Sequence, residues 1–232
     1  MSNQKLAAEV GNYISGLLRE HFGKGPTSAY VIIKPPFFFV HLRGFLAPTE
    51  RILLNQKETK RILEIRDLLM DELKSRVKID LWKQAGLDVL DIYSDWNLEN
   101  KTGVVLGILD EETAEETLAW PGGISRELVL KEMNKASAVV EKTPGETAIY
   151  WMNDRIVLIV REDILVPIEK ELIRLGHGEI LKSAKRPLER SSVFTGRLKT
   201  ALDRQISEVF VDWDFEGDIS YMVLILDGEP AD

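Results

Sequence analysis

The side chains able to do chemistry in this chain are few and spread out. Lys24 lies in Gly23-Lys24-Gly25-Pro26-Thr27-Ser28, where backbone amides and the lysine could cradle a carboxylate or phosphate. The order is wrong for a nucleotide P-loop, which runs from strand into helix. Here a helix precedes and a strand follows, so the loop meets a helix C-terminus whose partial negative charge repels anions. Arg43 and Glu50 flank a short turn and are expected to pair, with Arg43 to Asp95 as the other option. Arg66 sits in a charged stretch and reads as solvated or paired within its own helix. His21, His41 and His177 have no metal-ligand spacing, and no serine has a nucleophile elbow around it. With no cysteine there is no disulfide, thiolate metal site or thiol nucleophile. No metal and no cofactor are expected.

The elements that must hold these residues follow from periodicity. Leu6, Val10, Ile14, Leu17, Leu18 and Phe22 form one helical stripe, closed by Gly23. Ala29 to Lys34 and Phe37 to Gly44 read as two antiparallel strands broken by Pro35-Pro36. Pro48 marks a helix entrance, and helix runs to Ala85 with a break expected near Asn55. Ile62, Ile65, Leu69, Leu73 and Val77 are read as its buried face. Strands are expected at 88–98 and 103–109, the first placing Trp96 on the core side. Trp96 and Trp213 are also candidate interface anchors.

The pattern then repeats. Asp95-Trp96 returns as Asp212-Trp213 and Leu109-Asp110 as Leu226-Asp227, both 117 residues later. Leu46-Ala47-Pro48-Thr49-Glu50 returns as Leu165-Val166-Pro167-Ile168-Glu169, 119 residues later. Such self-similarity fixes architecture before any local reading. Ser125 caps a helix to Glu141, strands follow at 147–152 and 155–161, and helix enters at Pro167. Gly176-His177-Gly178 and Pro187 are expected to interrupt that helix, with Arg186 near the position of Arg66. Strands 208–215 and 220–226 close the half. The expected fold class is α+β: two tandem α-β-β-α-β-β repeats, antiparallel sheets with long helices on one face, related by a pseudo-two-fold. The expected division is 1–112, a linker at 113–123, and 124–232.

Composition bounds the partners. A net charge of −8 weighs against nucleic acid, which demands a basic surface to release counterions. No window approaches the ~18 apolar residues of a membrane span, and Met-Ser-Asn-Gln-Lys lacks a signal h-region. Any membrane role is therefore expected to be peripheral, and the compartment cytoplasmic.

The opening stretch Leu17-Leu18-Arg19-Glu20-His21-Phe22-Gly23-Lys24-Gly25-Pro26-Thr27-Ser28-Ala29 is followed by His41-Leu42-Arg43-Gly44-Phe45-Leu46-Ala47-Pro48-Thr49-Glu50, a long charged helix with Arg66, and Ser94-Asp95-Trp96. Together these resemble the MpsC-type family of small bacterial proteins, well over residues 5–110 and more weakly over 125–227. The family is associated by name with a sodium-translocating, membrane-potential-generating system, and its members are usually one unit long. Half two departs at two places: Pro144-Gly145 for Gly25-Pro26, and Glu162-Asp163 for Arg43-Gly44. The resemblance implies a non-enzymatic accessory protein with a protein partner, such as the cytoplasmic face of an ion or bicarbonate transport assembly. Gly23, Lys24, Gly25, Pro26, Arg43, Glu50, Arg66, Asp95 and Trp96 are the candidate partner or ligand residues. The alternative is a small-anion sensor using Lys24 and Arg43 of half one; a third is carboxylate chemistry around Glu50 and Asp95. Oligomeric state does not follow from the sequence.

Overall fold

The structure, a computed structural model, describes residues 3–111, 120–195 and 197–228. The chain divides into two compact units, Met1–Thr117 and Leu118–Asp232. Much of the expected linker, residues 113–119, lies outside the described residues. Trp120 already packs edge-on against Trp151 at 6.0 Å and donates its indole N–H to the Ile124 carbonyl at 2.6 Å.

The first unit runs α1 (Asn3–Phe22), β1 (Ser28–Lys34), β2 (Phe37–Arg43), α2 (Pro48–Asn55), α3 (Thr59–Ala85), β3 (Val89–Asn97) and β4 (Thr102–Leu109). The second runs α4 (Arg126–Val140), β5 (Glu146–Asn153), β6 (Ile156–Glu162), α5 (Pro167–Arg174), α6 (Gly178–Thr195), α7 (Leu198–Ala201), β7 (Ile206–Asp214) and β8 (Ile219–Leu226). Each unit is α+β with one four-stranded antiparallel sheet, in the order β1-β2-β4-β3 and β5-β6-β8-β7. The registers match as well as the order. Asp95 faces Val104 as Asp212 faces Tyr221, and Phe37 faces Ile108 as Ile156 faces Ile225.

Register also corrects the apparent swap of Gly25-Pro26 for Pro144-Gly145. Ser28 pairs with Arg43 and Glu146 with Glu162. Just before, the Thr27 amide donates to the Arg43 carbonyl at 2.8 Å, and the Gly145 amide to the Glu162 carbonyl at 2.9 Å. Gly145 thus occupies the place of Thr27, Pro144 that of Pro26, and Lys142 that of Lys24. The one-residue slip is absorbed by the irregularity in β5 between Trp151 and Asn153. The other departure changes little in the backbone. Gly44 has φ +65 and Asp163, its counterpart, φ +50; aspartate tolerates the left-handed region better than most residues.

In the first core, Val10, Ile14, Leu17 and Leu18 of α1 meet Phe38, Val40 and Leu42 of β2 and Trp96 of β3. The helical stretch breaks where expected, after Asn55, with Lys57 at φ 64. Gly86 closes α3 in the left-handed conformation, donating its N–H to Trp82. The buried face of α3 keeps Ile62, Leu73 and Val77 as read from the sequence but departs at Ile65 and at the half-buried Leu69. It holds Ile62, Arg66, Met70, Leu73, Val77 and Leu81, while Ile65 is exposed. An arginine holds a core position that its charge argues against, for a reason found in the site below.

Pro187 does not interrupt its helix either; α6 continues through it. Pro187 is exposed, so the carbonyl that loses its helical donor lies on the solvent side, where water can satisfy it. No helix among the described residues is long and apolar enough to cross a membrane.

Gly103 on β4 faces Trp96 across the strand pair. A Cβ there would sit 2.3 Å from the Trp96 Cε3 atom, so only glycine lets the indole lie flat on β4. Gly103→Ala is expected to displace Trp96 and destabilise the first unit by about 1–3 kcal/mol. Thermal unfolding followed by tryptophan fluorescence checks this; an unchanged melting temperature would show that the indole is not so constrained.

Candidate functional site

Glu50 and Arg66 meet inside the first unit. Pro48 starts α2, which puts Glu50 at the third helical position, where a glutamate can reach back to the chain before the helix. Its Oε2 accepts the Ala47 amide at 2.7 Å. Sixteen residues on, Arg66 turns inward from α3 and donates Nε to Oε1 and Nη2 to Oε2, both at 2.7 Å. Nη2 also donates to the Phe45 carbonyl at 3.2 Å. The guanidinium packs against two adjoining rings, 4.5 Å from the Phe45 centroid and 4.7 Å from that of Trp96, the two centroids being 5.4 Å apart. Phe22, at the end of α1, completes an aromatic cluster, 5.4 Å from Phe45 and 6.4 Å from Trp96. Arg66 has no exposed surface.

This arrangement explains how an arginine holds a core position. A forked, planar cation matches a carboxylate through two parallel bonds and stacks on aromatic faces, so most of the lost hydration is replaced. The expected Arg43–Glu50 pair does not form, because Glu50 is committed to Arg66. Nor is Arg66 solvated or paired within its helix. Gly44 contributes by letting the chain turn with positive φ between the exposed Arg43 and the buried Phe45. Asp95 is buried, and its Oδ1 accepts the Trp96 amide at 2.9 Å; Asp212 does the same for Trp213.

The remaining sequence candidates lie elsewhere. Gly23 has φ +73 at the end of α1, Lys24 is half-buried, and Gly25 and Pro26 are buried. Thr27 joins this loop to the end of β2, its Oγ1 donating to the Arg43 carbonyl at 2.9 Å. A groove of about 440 Å³ runs between α1 and β1, lined by Gly11, Ser15, Arg19, Pro26 and Tyr30 among others. Pro26 lines that groove; Glu50, Arg66, Asp95 and Trp96 do not.

The second unit rebuilds the same centre with other chemistry. Glu169 replaces Glu50 and accepts the Val166 amide at 3.0 Å. Lys185, not Arg186, takes the place of Arg66 and reaches Glu169 at 2.8 Å. Ile164 stands for Phe45 and Glu141 for Phe22, so both ring partners other than Trp213 are gone. Lys185 instead bonds Glu141 and lies 3.8 Å from Glu189. Arg161 donates to Glu189, to Ser220 at 2.8 Å and to Ser137 at 2.9 Å. Trp213 donates its indole N–H to Glu189 at 2.9 Å. Arg161, Ser137, Glu189 and Ser220 stand where the first unit has Leu42, Leu18, Met70 and Gly103. No local pattern announces this cluster; only the 119-residue offset from Arg66 to Lys185 could have pointed to it.

Charge balance then requires a proton. Three carboxyls face two cations, all buried. Burial, with the neighbouring Glu189 second, pushes Glu141 up to about 9. It therefore keeps its proton at neutral pH; its Oε2 is buried and makes no hydrogen bond among the described residues. Burial works against the Glu189 charge, but Arg161, the Glu141 proton and Lys185 hold that carboxyl below its usual range. The two carboxyls titrate as a pair.

Two expectations follow. Arg66→Ala strands the Glu50 carboxylate in the core and is expected to cost about 3–5 kcal/mol of first-unit stability. Arg66→Lys keeps the charge but loses the fork and the stacking, and should fall between wild type and alanine in chemical denaturation; equality of the two variants would refute the stacking account. Glu141 binds its proton more tightly folded than unfolded, so its contribution is fully present below about pH 4.5 and is lost as pH rises toward 9. Second-unit stability should decline across that window by up to about 1.4 kcal/mol per pH unit. Glu141→Gln, which keeps a donor without a titrating proton, should flatten the decline in unfolding curves taken from pH 5 to 9.

Compared with known proteins, residues 2–111 match the family model MpsC, described as "Na+-translocating membrane potential-generating system (MpsC)". No curated protein and no solved structure matches the chain. The matched span takes in the whole Glu50–Arg66–Trp96 centre and the Lys24 loop. The first half of the chain, residues 2–111, is thus similar to the MpsC family, and the second half has the same strand order.

Proposed function

We propose that this protein is a non-enzymatic, cytoplasmic accessory component of a membrane ion or bicarbonate transport assembly, acting through a protein partner. The family match of the first unit carries the reading, since that family's description is a sodium-translocating, membrane-potential-generating system. Geometry supports the non-enzymatic part. Of the two carboxylates considered for acid–base work, Glu50 is bound by Arg66 and the Ala47 amide inside the core, and Asp95 is buried and accepts the Trp96 amide. Arg43 is exposed and Lys24 half-exposed, which leaves both side chains accessible.

A second reading, an anion held near Lys24 and Arg43, has one observation in its favour. In the second unit Lys142 is neutralised by Asp163 at 2.8 Å. The counterpart of Asp163 in the first unit is Gly44, so no carboxylate occupies that position beside Lys24.

Deleting the gene and measuring membrane potential and sodium tolerance tests the first reading. Loss of either, restored by wild type but not by Lys24→Ala/Arg43→Ala, is the expected result. An unaltered deletion strain removes its support. For the second reading, phosphate, sulfate and bicarbonate are screened by thermal shift. A true ligand at 100 times its dissociation constant adds about 2.7 kcal/mol, and that shift should vanish in the double variant.

A further inference from the structure

The face of α3 opposite its buried stripe is also apolar. Ile65, Leu68, Ile79 and Trp82 are 44%, 63%, 52% and 61% exposed. Together with Glu72 and Ser75 they recur at alternating steps of three and four, the spacing of a helix–helix seam. Isolated exposed hydrophobics need no explanation, but four on one straight line of a 27-residue helix form a contact surface.

The order of residues along this line selects the occupant. The sequence is self-complementary about a point between Leu73 and Lys74. If a second copy of α3 lies antiparallel there, Ile65 faces Trp82, Leu68 faces Ile79, and Glu72 faces Ser75, each pair occurring twice. The flanking charges follow the same symmetry. Asp71 on one copy comes opposite Lys78 on the other, and again in reverse. Beyond Arg61 at its start, this face carries Glu64, Asp71 and Glu72 before the midpoint and Arg76, Lys78 and Lys83 after it. An in-register parallel pair would instead set Glu72 against Glu72 in the middle of the seam. We infer that this protein self-associates through a two-fold antiparallel pairing of α3 with α3 of a second copy. A two-fold contact requires a patch that complements itself, and this one does in the order of its apolar residues and in the Asp71–Lys78 charges.

Within one copy, Asp71 pairs with Lys74 at 3.0 Å and Lys78 with Asp91 at 3.5 Å. These are partly exposed ion pairs that exchange at little cost. Asp71 and Lys78 themselves are two helical turns apart and do not meet within one helix.

Sedimentation velocity of the full chain over a concentration series tests the inference. A monomer–dimer equilibrium is expected, weak because a single helix pair buries little area. Leu68→Glu or Ile79→Glu should raise the dimer dissociation constant at least tenfold with an unchanged circular dichroism spectrum and melting temperature. Asp71→Lys and Lys78→Asp should each weaken the dimer, and the double exchange should restore it, because only across copies do the two positions meet. A chain that stays monomeric throughout overturns the inference, and so does a dimer indifferent to Leu68→Glu. A double exchange no better than its worse single variant overturns the antiparallel pairing.

Discussion

Each unit depends on a buried glutamate at the entrance of its short helix. That carboxylate faces two demands. The chain leaving the sheet has an amide to satisfy before the helix begins, and the long helix must be fixed against the sheet. Glu50 meets both, accepting from Ala47 and from the two nitrogens of Arg66. Through Arg66 the same carboxylate reaches Phe45 and Trp96, so α2, α3, the segment after β2, and β3 are registered by one charge pair. A bare hydrophobic core would allow α3 to slide or rotate; a bidentate bond with two adjoining ring faces against the guanidinium allows one position.

The two units show two ways to satisfy the same buried carboxylate. Arginine is a weakly hydrated plane, so aromatic walls suffice and the neighbours stay apolar. Lysine is a compact, strongly hydrated charge and needs oxygen ligands. Exchanging Arg66 for Lys185 therefore goes with the exchange of Phe22 for Glu141 and Met70 for Glu189. The extra carboxylate brings in Arg161 in turn, and the serines Ser137 and Ser220 take up its remaining donors. Where the cation differs, a patch of apolar core in the first unit is matched by a hydrogen-bonded network in the second. The network works at neutral pH because one carboxyl retains its proton. Glu50 and Glu169, by contrast, keep the same backbone duty in both units.

Such substitution inside an unchanged frame fits a duplicated unit whose halves have drifted. Strand order and registers are set by backbone pairing and by which face of each strand is apolar, and both survive side-chain exchange. The loop before the first strand shows the same tolerance. Pro26 and Pro144 hold one position, Lys24 and Lys142 another, although the intervening residues differ.

The sequence by itself determined the α+β class, the order of elements, most of their ends and the repetition of Asp-Trp and Pro-x-Glu, because periodicity, proline and glycine act on the local backbone. It misplaced what depends on residues distant in the chain. Arg66 looked solvated and Ile65 buried, since hydrophobicity alone ranks isoleucine for the core. Glu50 looked paired with the nearby Arg43, since proximity in sequence was all there was to judge by. Pro187 looked like a stop because its exposed position on α6 could not be known. Only the tertiary structure placed a carboxylate sixteen residues away and two rings against Arg66. A buried charge is permitted solely by the partners that replace its water, and those partners come from three different segments brought to α3 by folding.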